Sequence, residues 1–154
     1  MNEPIKRHES IQPLSRDHHH GLLLCWKIKT GFAKGVSTDR MKVYVDWFYE
    51  KHIKKHFEIE EEFVFPVLGN DHELIKQALD QHKTLMKLFT DNSDVTGSLK
   101  NIQTELEKHI RFEERVLFNE IQKVASEKQL KIIKEHHSDD KFVDNLSDQF
   151  WTNN

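Results

Sequence analysis

One cysteine, Cys25, is all the thiol this chain has. A lone thiol excludes an internal disulfide framework and fits a reducing compartment. It also removes thiolate-bound iron–sulfur clusters and the common structural zinc patterns. Glycine and proline are scarce, five and three in 154 residues, which favours long uninterrupted helices over many short strands. Long apolar runs are missing too. The longest, Leu22 to Trp26 and Phe63 to Leu68, fall far short of the roughly 20 residues that span a bilayer. Met1 to Ser10 carries charges but no apolar core of a secretory signal. The 23 basic and 26 acidic residues are interspersed, for a net charge of −3, with no cationic stripe for nucleic acid. These absences give an expectation of one soluble cytoplasmic domain with no membrane and no nucleic-acid partner.

What the chain does have is eleven histidines, ten phenylalanines and three tryptophans. The segment His56-Phe57-Glu58-Ile59-Glu60-Glu61-Glu62-Phe63-Val64-Phe65 returns, ungapped, as His109-Ile110-Arg111-Phe112-Glu113-Glu114-Arg115-Val116-Leu117-Phe118. Each copy places a histidine four residues before a glutamate. On a helix, that spacing puts both on one face, about 6 Å apart along the axis.

Apolar periodicity places the helices. Ile11, Leu14, His18, Leu22, Cys25 and Ile28 mark a helix over about 14–33, with Ser15 and Asp17 in its opening turn. His18 lies on the apolar stripe, whereas His19 and His20 read as solvated. After Ser37-Thr38-Asp39, a second helix runs to about Phe65. Its inward stripe is Tyr49, His52, Ile53, His56, Ile59, Glu60, Phe63 and Val67. Glu60 is out of place there, because a buried carboxylate costs several kcal/mol unless paired or metal-bound. Glu58, Glu61 and Glu62 read as a solvated charged face.

Asn70-Asp71 can cap a third helix over about 71–90, with Ile75, Ala78, Leu79, His82, Leu85, Met86 and Phe89 inward. His82 parallels His18, each following shortly after an aspartate. A loop at Asp91 to Asp94 precedes a fourth helix over about 95–123, with Leu99, Ile102, Leu106, His109, Phe112, Glu113, Val116 and Leu117 inward. A fifth, about 126–150, would bury Leu130, Ile133, Val143, Leu146 and Phe150 and leave His136 and His137 facing water. The expected fold is all-α, an up-down-up-down four-helix bundle with an additional C-terminal helix. Its divisions are a flexible N-terminus (1–10), the bundle (11–123) and a C-terminal helix packed on it (124–154).

The two halves each contribute a lone histidine and a His-x-x-x-Glu element. Four imidazoles and two carboxylates in a bundle interior suit a pair of first-row transition metals, with iron the best fit. Two six-coordinate metals, two bridging carboxylates, four imidazoles and one bridging oxygen leave about one open position per metal. Such positions admit a small molecule.

The motifs Ser-Arg-Asp-His-His-His, His-Phe-Glu-Ile-Glu-Glu with its closing Phe-Pro, and His-Ile-Arg-Phe-Glu-Glu resemble the hemerythrin-like, His-His-Glu cation-binding family over about residues 11–123. The resemblance implies two non-haem Fe ions, oxo- or hydroxo-bridged, in a four-helix bundle. Carried over by motif, the ligands would be His18, His56, Glu60, His82, His109 and Glu113, with both glutamates bridging. The oxygen carriers of the family supply a fifth histidine, four from another on the third helix. Here the positions four before and after His82 are Ala78 and Met86. His52 is the nearest substitute, as a fifth ligand or as a residue hydrogen-bonded near the site.

The functional expectation is a protein that binds or senses O2 or a related small oxidant, or stores iron, working as a monomer or weak homodimer. One alternative is an enzyme or repair factor that handles nitric oxide or peroxide or donates iron. Another is a structural bundle holding zinc or nothing.

Overall fold

The computed structural model describes residues 6–137 and 141–152. The described residues form five helical rods and no strand. Helix α1 spans Gln12–Ala33, with Pro13 in the first turn, where its missing N–H is no loss. It ends at Gly35, whose φ of +71° permits the left-handed turn. There Val36 N–H reaches Gly31 O and Gly35 N–H reaches Phe32 O, which satisfies the last carbonyls.

Rod α2 runs from Thr38 to Val67 as a string of pieces, Thr38–Phe48, Tyr49–Ile53, Lys54–Ile59, Glu60–Val64 and Phe65–Val67. Helix α3 is Glu73–Thr90, capped by the His72 side chain rather than by Asn70 or Asp71. Rod α4 joins Val95–Phe112, Glu113–Leu117 and Phe118–Val124, and Asp94 accepts from Gly97 N–H at its start. Helix α5 is Glu127–His136, opened by a reciprocal Ser126–Gln129 capping box. No described helix is long and apolar enough to cross a membrane.

Three turns are wider than an α-helix. Lys54 N–H bonds to Tyr49 O, Phe65 N–H to Glu60 O and Phe118 N–H to Glu113 O, each skipping one residue more than the usual ladder. Two of these π-turns begin at the glutamates of the repeat. The added residue moves everything downstream around the rod by one position. Val64 and Phe65 are therefore buried, while Phe63 and Val67, expected inward, are only partly covered. In the second copy, Leu117 and Phe118 are buried and Val116 is exposed. Met86, at the edge of the α3 stripe, is also exposed.

Helix α1 packs along α4, and α3 lies against α4 as well. The approach of α1 is close at Gly21, where a Cβ would meet Ile110 Cδ1 at 2.8 Å. Two apolar clusters fill the bundle. One contains Leu24, Ile28, Phe48, Tyr49, Phe89, Ile102 and Leu106, and the other Leu14, Ile59, Phe65, Ile75, Leu117, Phe118 and Ile133.

The C-terminal part differs from expectation. Helix α5 stops at His136, and residues 141–152 follow as irregular chain instead of helix to 150. Leu130, Ile133 and Phe150 are buried as expected, but Val143 and Leu146 are exposed. Polar and aromatic anchors fix this strap. Asp144 accepts from Lys27 Nζ at 2.7 Å and from the Tyr44 hydroxyl at 2.5 Å. Lys27, itself buried, also lies 4.0 Å from the Trp151 ring centroid. Arg40 grips Asp148 with two hydrogen bonds. At the other end of the chain, residues 1–5 fall outside the described residues. Arg7 is held there by Asn119, Gln122 and the Glu114 carbonyl.

Candidate metal centre

The π-turns place Glu60 and Glu113 in the middle of the bundle, both with 0% exposure. His56 and His109 sit one turn before them. Helices α1 and α3 bring in His18 and His82, so all six expected residues meet in one buried volume. They form two overlapping groups that share the glutamates, His18, His56, Glu60 and Glu113 on one side and Glu60, His82, His109 and Glu113 on the other. Within each group, one ligand atom per residue lies within 4.8 Å of every other.

The geometry is two-fold. Glu60 Oε1 is 3.1 Å from His56 Nε2 of its own rod and 3.2 Å from His82 Nε2 of the other half. Glu113 Oε1 is 3.0 Å from His109 Nε2 and 3.0 Å from His18 Nε2. Despite this closeness, the Nε2 atoms of His56, His82 and His109, both oxygens of Glu60 and Oε2 of Glu113 make no aligned hydrogen bond. Buried polar atoms left unsatisfied cost about 1–3 kcal/mol each, more when charged. Converging donor atoms that approach without pairing are arranged for a common cation.

Each imidazole is aimed by its outer nitrogen. His18 Nδ1 lies 2.7 Å from Glu114, His56 Nδ1 2.9 Å from Asp17, His82 Nδ1 2.9 Å from Glu61 and His109 Nδ1 2.6 Å from Gln81. With the proton on Nδ1, the lone pair of Nε2 points inward, the tautomer a metal needs. Aromatic rings fix the planes, Phe118 stacked on His18 and Phe57 on His82.

The role of these four partners was missed in sequence. Asp17 reads as a helix-start residue, and Glu61 reads as part of a solvated face, where it does lie while also reaching His82 Nδ1. The signal was present in the repeat. The residue after each inner glutamate is a second glutamate, and each lone histidine is preceded by an Asp17 or Gln81 acceptor. Gln81, not Asp80, is therefore the counterpart of Asp17, and Asp80 is exposed.

The metal-free charge state follows from burial. Burial and the adjacent Glu113 charge push the Glu60 carboxyl well above the ordinary range. Glu113, equally buried, is held well below it by His109, by Glu60 and by His18. Burial opposes charge on His18 and His82, but Glu113 with Glu114, and Glu60 with Glu61, outweigh it and hold both rings up at about 9. His109 is shifted down, chiefly by burial. Cys25 takes no part, its thiol pushed up to about 12 by burial.

Residues 14–121 match the Hemerythrin HHE cation binding domain. The chain belongs to the hemerythrin HHE cation-binding family. No curated protein and no solved structure matches it. The family's cation-binding character agrees with the His/Glu groups in the bundle interior.

The other histidines of this hemerythrin-family chain divide differently. His52 is half-buried among Trp47, Phe48 and Phe142, outside both ligand groups, with its Nε2 unpartnered. His20, expected in solvent, is half-buried and stacks on Phe142 at 4.0 Å. His137, also expected in solvent, approaches Asp17 at 2.7 Å because α5 ends beside α1. His19 and His136 are exposed. A small cavity of about 40 Å³ lies between these groups and the centre, bounded by His18, His52, His56, His109 and Phe142.

Proposed function

We propose that this chain is a non-haem di-iron protein that binds or senses dioxygen or a related small oxidant, or stores iron. His18, His56, His82 and His109 would each bind through Nε2, with Glu60 and Glu113 each shared between two ions. The observation that carries the reading is the pair of fully buried glutamates, each meeting two imidazole nitrogens from different halves without an aligned hydrogen bond at Glu60. A bundle empty of metal would leave both Glu60 oxygens, Glu113 Oε2 and the Nε2 atoms of His56, His82 and His109 unsatisfied. Iron suits a set of imidazoles and bridging carboxylates with no thiolate.

The cavity supports a small, uncharged ligand. Its volume is comparable to that of one water to two, and its walls are apolar apart from imidazoles and Asp17. When bound, two irons would supply redox chemistry and open coordination positions. The protein's part is to hold Nδ1 protons on the outer side, exclude bulk water with Phe142 and present His52 Nε2 as a hydrogen-bonding group on the cavity wall.

Anaerobic addition of Fe(II) to metal-free chain, then air, tests the proposal. Two irons per chain and oxo-bridge charge-transfer bands are expected. Less than one iron, with no band, overturns it. The unpartnered His52 Nε2 favours a second reading, turnover of nitric oxide or peroxide, in which it would pass a proton. Consumption beyond two equivalents per chain would separate catalysis from binding.

A further inference from the structure

The inner six residues obey the two-fold relation, and so does one of the two pairs of Nδ1 partners behind them. Exchanging the halves maps His18 onto His82, His56 onto His109 and Glu60 onto Glu113. It also maps Glu114, behind His18, onto Glu61, behind His82. One pair breaks the relation. His56 rests on the Asp17 carboxylate, and His109 on the Gln81 amide. The appended helix makes this difference larger. His137, at the end of α5, lies 2.7 Å from the same Asp17 oxygen that meets His56. The second half has no α5 of its own. Asp17 is thus tied between a ligand histidine and the C-terminal helix.

We infer that the two metal positions are unequal, and that Asp17, positioned by His137, makes the His18/His56 position the stronger binder. The inference rests on the dinuclear reading above. An anionic acceptor on Nδ1–H draws the proton outward and makes Nε2 a better donor, whereas a neutral amide does so weakly. At the His18/His56 position both imidazoles rest on carboxylates. At the His82/His109 position only one does.

One opposing charge needs weighing. Arg7 sits 3.6 Å from Glu114 and reduces the pull of that carboxylate on His18. It acts one group further out, on the carboxylate and not on the ring, whereas Asp17, although 37% exposed, touches the imidazole directly. The Asp17-to-Gln81 difference is a whole charge placed directly on an imidazole N–H. The direct contact therefore decides the order.

The test isolates each position in the full-length chain. His109→Ala leaves the His18/His56 position whole, and His56→Ala leaves the His82/His109 position. Anaerobic Co(II) titration, followed by its visible bands, should show the first variant binding about 10–100-fold tighter than the second. Adding Asp17→Asn to His109→Ala should remove most of that advantage, and His137→Gln a smaller part of it. Adding Gln81→Glu to His56→Ala should tighten the weaker position, a gain that loss of folding cannot imitate. Equal affinities in the two single variants, or no change with Asp17→Asn, overturn the inequality. If the wild-type chain then still takes up two ions, the dinuclear reading stands. Uptake below one ion by the wild type overturns both.

Discussion

Glu60 Oε1 and His82 Nε2 come from different halves of the bundle and lie 3.2 Å apart, yet neither atom has an aligned hydrogen-bond partner. Glu113 differs, since its Oε1 is hydrogen-bonded to His18 Nε2. Burial and the Glu113 charge drive Glu60 toward its neutral form, while Glu113, equally buried, is held low by His109 first and then by Glu60 and His18.

Burial drives the Glu60 carboxyl toward its neutral form, of which glutamine is the isostere, so Glu60→Gln should cost the metal-free protein less in chemical denaturation than Glu113→Gln. Glu113→Gln removes the anion that faces His18 and should destabilise it by about 1–3 kcal/mol. Both variants should lose dinuclear loading in metal analysis. Retention of two ions by either would contradict the bridging role.

Metal-free stability should fall as pH rises above neutrality. His18 and His82 have folded values of about 9 against an ordinary 6.5. A raised value stabilises fully below 6.5 and loses that contribution as pH climbs through about 9. Glu60, also raised, acts with the same sign. Metal affinity should move the opposite way, increasing over the same window because imidazole must lose its proton to bind. Thermal melts of metal-free chain and proton release on Fe(II) addition at pH 7 check the two halves of this prediction. About two protons per chain should come from these rings.

The six inner residues were legible because helical spacing and an apolar stripe both point them inward, and Glu60 and Glu113 violate that stripe. The π-turns were not legible. Nothing in Glu-Glu-Phe-Val or Glu-Arg-Val-Leu announces a widened turn, so an ideal 3.6-residue repeat buried Phe63 and Val116 in place of Val64 and Phe118. The Nδ1 partners escaped for another reason. His18 and Glu114 are 96 residues apart, and His56 and Asp17 are 39 apart, so only the assembled bundle joins them. The fifth helix was drawn too long because Val143, Leu146 and Phe150 continue a helical rhythm. Contacts of Asp144 with Lys27 and Tyr44 hold that stretch in an irregular course instead.

Cutting the strap loose should affect stability without touching the metal. Asp144→Ala leaves Lys27 buried with only the Tyr44 hydroxyl and the Trp151 ring for company. A loss of about 1–3 kcal/mol is expected. Hydrogen exchange at residues 141–152 should quicken, and the number of ions bound should stay the same. Reduced metal content would place the strap in the site itself.

Phe142 stacks on His20 and lines the cavity beside His52. Phe142→Ala should speed nitric oxide binding to iron-loaded protein several-fold in stopped-flow mixing, with unchanged stoichiometry. An unaltered rate would mean that the ligand enters elsewhere.

X-ray absorption at the iron edge of untagged, reconstituted chain addresses the two shared glutamates most directly. The account predicts imidazole scattering from both ions and an iron–iron vector below about 4 Å. Isolated iron, with no metal neighbour and fewer than two ions per chain, would contradict it.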